Sequence, residues 1–126
     1  MKRRRTILYA DDESSILGLA ALCLEALGFE ALTAPDGETA VRLYEKHAGR
    51  IDAVMLDLTM PGLDGQEAAR AIRAMGATIP ITLVSGYGPE DLEGRIDSGL
   101  FDAFLTKPFT LESLGGAIRA LLGVTS

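Results

Sequence analysis

Ala53-Val54-Met55-Leu56-Asp57-Leu58-Thr59-Met60-Pro61-Gly62-Leu63-Asp64-Gly65 runs from a short apolar segment to an acid and then, through Pro61-Gly62, into a helical pattern. The apolar run predicts a strand over Ala53–Asp57. Asp64, with Glu67 three residues on, makes a capping-box start for a helix over Gly65–Met75. A strand that delivers a carboxylate at its end and leads into a helix is half of a βαβ unit.

Outward from this segment the same alternation repeats. Strands are expected at Thr6–Ala10, Glu30–Ala34, Ile81–Ser85 and Ala103–Thr106, and helices at Ser14–Leu27, Glu38–His47, Glu90–Asp97 and Leu111–Leu122. Ala40, Leu43, Tyr44 and His47 share one helical face, as do Leu111, Leu114, Ile118 and Leu122, and Gly28 stops the first helix. Five strands alternating with five helices imply an α/β fold with a doubly wound parallel sheet covered on both faces. With no repeat, low-complexity tract or linker, residues 1–126 read as one domain, 1–5 being a basic lead-in and 123–126 a tail.

Composition narrows the function. The chain is 48% apolar, enough to bury a core without disulfides or a structural metal, and its net charge of −6 argues against a nucleic-acid surface. Lys2-Arg3-Arg4-Arg5 reads as a solvated lead-in. Only five residues separate it from Asp11-Asp12-Glu13, so it does not open a secretory signal. No segment approaches the roughly 18 uncharged apolar residues of a membrane span. The single Cys23 lies in an apolar helical run and reads as core. A soluble cytoplasmic protein is the simplest expectation.

In a parallel sheet, functional groups gather beyond the carboxyl ends of the strands. The first strand delivers Asp11 and Asp12, the third Asp57, the fourth Ser85, and Lys107 follows the fifth. Singly, each has a bland reading: an acid caps the next helix, a serine turns the chain, a lysine faces solvent. Together they define a site. Two carboxylates 4 Å apart repel by about 4 kcal/mol at an effective dielectric of 20. The cluster therefore invites a divalent cation, and oxygen-only ligands favour Mg²⁺ over zinc. The flanking ammonium and hydroxyl suit a phosphoryl group, and an aspartate carboxylate can act as the nucleophile.

These residues resemble the receiver domains of two-component response regulators over nearly the whole chain. Ile7-Leu8-Tyr9-Ala10-Asp11-Asp12-Glu13 is similar to the family's opening strand and acidic pair, and Leu56 to Gly65 to its phosphoacceptor motif. Ser85 falls at the hydroxyl position, and Phe104-Leu105-Thr106-Lys107-Pro108-Phe109 is similar to the segment with the switch aromatic and the lysine. The resemblance implies a flavodoxin-like sheet of strand order 2-1-3-4-5. It implies phosphotransfer to Asp57 from a sensor histidine kinase or histidine phosphotransfer protein. Mg²⁺ would be held by Asp12, Asp57 and the backbone carbonyl of Thr59, with Asp11 acting through water. Lys107 would neutralise a phosphoryl oxygen, and the Lys107-Pro108 bond would be cis. Ser85 and Phe104 would act as switch residues, reshaping the face built by the fourth helix, fifth strand and fifth helix.

Several features are this chain's own. Gly86-Tyr87-Gly88-Pro89 should loosen the loop after Ser85, and Gly86 should leave room beside the phosphate. Neither Thr59 nor Tyr87 is a good base for aiming water at an acyl phosphate, so slow self-dephosphorylation is expected. In the first helix Leu17 and Ala21 lie off the face of Ile16, Ala20, Cys23 and Leu27, either deeply covered or forming a docking patch for a kinase or phosphotransfer helix pair. The fourth helix, weakly apolar, is expected to be loosely anchored. His47 reads as structural. The rival readings are a Mg²⁺-dependent aspartate-nucleophile phosphohydrolase, a flavodoxin-like FMN binder, and a receiver module from a hybrid sensor kinase. A signalling domain rather than a turnover enzyme is the preferred one.

Overall fold

The computed structural model describes residues 4–123. A parallel sheet of order β2-β1-β3-β4-β5 is formed by β1 (Thr6–Ala10), β2 (Glu30–Ala34), β3 (Ile51–Asp57), β4 (Ile81–Ser85) and β5 (Ala103–Thr106). The helices are α1 (Ser14–Ala26), α2 (Gly37–His47), α3 (Gly65–Ala74), α4 (Pro89–Leu92) and α5 (Leu111–Leu122). This is the doubly wound flavodoxin-like arrangement expected from the sequence. β3 begins two residues earlier than Ala53.

Both faces of the sheet are covered, and strand alternation sorts the core into two layers. Leu8, Ala10, Val54, Leu56, Ile81 and Leu83 pack with α2 and α3. Ile7, Tyr9, Ala53, Met55 and Val84 pack with α1 and α5. Double burial is why these strands read as apolar runs rather than as alternating patterns.

The turn after β3 is fixed by close approach. A Cβ at Gly65 would collide with the carbonyl oxygen of Asp57, so only glycine lets α3 start this near the strand end. Gly65 N–H donates to Leu58 O at 2.9 Å, and the Asp64/Glu67 capping box forms as the sequence predicts. Gly62, at φ +77°, makes the preceding turn. A Cβ at Gly37 would likewise strike Leu63, which seats the first turn of α2 against this loop.

Three expectations need correction. The fourth helix does not run from Glu90 to Asp97: α4 ends at Leu92, Glu93 is extended at ψ 127°, and Gly94 takes φ +80°. Leu92 and Ile96 supply too little apolar surface to hold a longer helix, and a 3₁₀ turn over Ser98–Leu100 leads into β5 instead. In α1, Leu17 packs against the core, whereas Leu19 and Leu22 face solvent at 47% and 68% exposure. The unusual apolar surface of that helix is therefore theirs. In α5, Leu111 is exposed, and of the four residues of the expected face Leu114 and Ile118 alone are fully buried.

Arg4 and Arg5 are engaged with the fold. Arg4 donates to the carbonyls of Gly28 and Phe29, and Arg5 to that of Leu122. Lys2, Arg3 and residues 124–126 lie outside the described residues.

Candidate functional site

β1 and β3 lie side by side with Tyr9 opposite Met55 and Ala10 opposite Leu56, so the chain leaves both strands at one level, at Asp11 and Asp57. Asp11, Asp12 and Asp57 each bring a carboxylate oxygen within 4.8 Å of the others. Asp11 and Asp57 are buried and Asp12 is exposed, giving the cluster a floor and an open mouth. Asp11 is anchored from both sides: its N–H donates to Ala34 O, and its Oδ1 accepts from Glu13 N–H at 3.0 Å.

Lys107 closes the site. Its Nζ lies 2.7 Å from Asp11 Oδ2 and 3.0 Å from Asp57 Oδ1. It is delivered by the pairing of β4 with β5, where Ser85 faces Thr106 and the Lys107 N–H donates to Ser85 O at 2.8 Å. The Lys107-Pro108 bond is cis. Beyond it, Phe109 meets Tyr9 edge-on, ring centroids 6.2 Å apart.

The charges are unevenly settled. Burial pushes the Asp57 carboxyl up to about 6; the Lys107 ammonium pulls the other way, while Asp11 and Asp12 add to the rise. For Lys107, burial opposes the charge, but hydrogen bonds to Asp11 and Asp57 outweigh it and raise the pKa above the ordinary lysine value. One ammonium thus faces three carboxylates, and an excess of negative charge remains. Oxygen donors only, one exposed face and unbalanced charge fit a hard divalent cation.

The remaining residues singled out in the sequence fall on the β4 end, on the neighbouring loops and on β5. Ser85 is buried, and its Oγ accepts from Tyr87 N–H at 3.0 Å, which leaves the hydroxyl hydrogen to donate. Thr59 and Tyr87 line a cavity of about 490 Å³ with Asp64 and Arg95. Phe104 sits apart, half-buried below the strand ends. Its ring is tilted against Phe101, and it borders a second cavity of about 540 Å³ with Leu92 and Ile96. Gly86 has open space beside its Cα.

Two features escaped the sequence reading. Arg73, at the end of α3, donates to the carbonyls of Ala77, Ile79 and Leu100 and to Asp102, whose Oδ2 also accepts from Ile81 N–H. A basic residue in a last helical turn was the available signal. The other is Tyr9, fully buried two residues before Asp11, with its hydroxyl pKa raised by burial and by Asp11 and Asp57.

A parallel sheet carrying acids at the ends of β1 and β3 and a lysine after β5 defines a class, and sequence comparison gives the same class. Residues 7–119 match the response regulator receiver domain, and the chain belongs to that family of signalling domains. Rice two-component response regulator ORR41 is 40% identical over 116 residues, covering 90% of this chain and 91% of its own. A probable transcriptional regulator, ycf27 of Galdieria sulphuraria, is 38% identical over 125 residues, covering 97% of this chain and 47% of its own. The chain spans about half the length of several curated relatives. Among solved structures, the response regulator TrrA of Thermotoga maritima, in complex with Mg²⁺ and beryllofluoride, superposes at TM-score 0.83 with 32% identity, over 94% of this chain and 99% of that one. No helix among the described residues is long and apolar enough to cross a membrane.

Proposed function

We propose that this receiver domain accepts a phosphoryl group on Asp57 from the phosphohistidine of a sensor histidine kinase or histidine phosphotransfer protein. The observation that carries the reading is the Lys107 ammonium lying between Asp11 and Asp57, with Asp12 in reach of the same point. An Asp57 carboxylate oxygen forms the new O–P bond as the donor's P–N bond breaks, and the electron pair leaves with the imidazole. Lys107 meets the charge gathering on the phosphoryl oxygens, and the Ser85 hydroxyl donates to one of them. Asp12, Asp57 and the Thr59 carbonyl, with Asp11 behind, would hold a Mg²⁺ ion that supplies further positive charge at those oxygens.

The readout follows from the movement of Ser85. Drawing its hydroxyl to the phosphate releases Tyr87 N–H and pulls the loop inward. The cavity between Leu92, Ile96 and Phe104 gives the ring and the α4 segment room to re-pack. The α4–β5–α5 face is then the surface presented to a downstream partner. With a net charge of −6 the domain itself repels nucleic acid, so any DNA contact in a longer protein belongs to other residues. The working compartment is the cytoplasm, where phosphohistidine donors and Mg²⁺ are available.

Acetyl phosphate with Mg²⁺ should add the mass of one phosphoryl group to the parent and none to Asp57→Asn. Modification of Asp57→Asn, or steady turnover of a phosphomonoester by the parent, would overturn the reading.

A further inference from the structure

Residues 89–97 carry the signals of a longer helix than the one they form. Pro89 opens it and Glu90 and Asp91 fill its first turn. In a continued helix Leu92 and Ile96 would stack four residues apart, and Asp91 would pair with Arg95 at the same spacing. In the structure α4 ends at Leu92, and neither Asp91 nor Arg95 makes an ion pair among the described residues. The Arg95 N–H donates to Leu92 O, three residues back, as in a tight turn rather than an α-helix.

Two features hold the helix short. Gly94 sits at φ +80°, outside helical geometry, although a Cβ there would meet nothing within 4 Å. The Asp97 N–H, which in a continued helix would donate to Glu93 O, donates instead to Oε1 of Gln66 in the first turn of α3. The acceptor is itself well placed, because the adjacent Gly65 is pressed against Asp57 O and donates to Leu58 O. Past Asp97 the chain is held as well: Asp97 Oδ1 accepts from Gly99 N–H, and Arg73 of α3 donates to Leu100 O and Asp102. Thus α3 grips the chain over 97–102, just beyond the point where α4 stops.

Resting on the phosphoacceptor reading above, we propose that α4 is a two-state helix with Gln66 as its resting latch: loading of Asp57 frees the Asp97 N–H, and α4 rewinds through Ile96. At rest Leu92 and Ile96 are too small an apolar pair to outweigh the latch. When Ser85 is drawn to the phosphate, the loop behind it pulls the near end of the segment inward. A helical residue advances about 1.5 Å against about 3.3 Å for an extended one, so rewinding shortens the segment and draws Asp97 off Gln66. The Asp97 N–H then passes to Glu93 O and Asp91 meets Arg95. Leu92 and Ile96 turn as one face toward the cavities they already border. Gln66 is a positioning residue, acting through Asp97.

Gln66→Ala removes the latch oxygen, and Gly94→Ala disfavours the left-handed residue while favouring the helix. Two readouts are needed: the ¹³Cα chemical shifts of residues 93–97 with and without beryllofluoride and Mg²⁺, and the affinity for beryllofluoride by calorimetry. In the parent these shifts should be non-helical at rest and helical when loaded. Both variants should show helical shifts at rest. Gln66→Ala should bind beryllofluoride about fivefold more tightly than the parent, as expected for removing one hydrogen bond from the resting state. Gly94→Ala should bind about tenfold more tightly. Parent shifts that stay non-helical on loading, or variants that bind no more tightly, would overturn the latch. A parent that binds no beryllofluoride would bring down the phosphoacceptor reading itself, and the competition between Gln66 and the helix would then stand or fall on the variants' resting shifts.

Discussion

Asp57 is a buried carboxyl whose charge the resting fold only partly accommodates. Its pKa of about 6 lies above the ordinary carboxyl value, so the folded state binds its proton more tightly than the unfolded chain does. Its contribution to stability is full below the unfolded pKa near 4 and is lost as pH rises through about 6. Asp57→Asn should therefore raise the melting temperature at pH 7.5, with a gain on the order of 1–3 kcal/mol. The gain should shrink steadily as the buffer is acidified through that window. Thermal melts of parent and variant across the range measure it, and a gap independent of pH would contradict the assignment. Mg²⁺ should raise the melting temperature of the parent more than that of Asp57→Asn, because the variant offers one anionic oxygen donor fewer.

Among the elements, α3 is the best determined and α4 the least. The α3 capping box was legible because it depends on a local i, i+3 relation, Asp64 with Glu67. The length of α4 was not, because charges at Glu90, Asp91, Glu93 and Arg95 are compatible with a helix. What ends it is Glu93 turning extended at ψ 127° and Gly94 at positive φ. Arg73 ties the end of α3 to the entry of β5 through Leu100 and Asp102. Arg73→Ala should cost about 2–3 kcal/mol in urea denaturation, since it strips partners from several carbonyls at once. A cost within measurement error would mean water replaces the guanidinium. Gly65→Ala should destabilise at least as much, and should also slow phosphorylation by pushing the β3–α3 turn away from Asp57.

Across the whole molecule, stability is graded toward the site's moving side. β1 and β3 are central and almost wholly buried, whereas residues 86–97 are largely exposed and bordered by two cavities, with Leu92 and Ile96 on the wall of each. Hydrogen exchange should accordingly be fastest over 86–97 and slowest in β1 and β3, and beryllofluoride should slow it in the 86–97 segment. Once formed, the acyl phosphate should persist for minutes or longer, since Thr59 and Tyr87 offer no base to aim water; loss within seconds would contradict this. From its sequence alone the chain fixes the strand and helix order, the acids that end β1 and β3 and the lysine after β5. Apolar runs, caps and strand-end charges are local features, and the order of βα units dictates the edge at which they meet. Tertiary structure alone decided that Leu19 and Leu22, rather than Leu17, stay exposed, that α4 is one short turn, and that Arg73 reaches across to Leu100 and Asp102. Those outcomes depend on which neighbours fill the space around each side chain, and partners tens of residues away leave no trace in a helical or strand period.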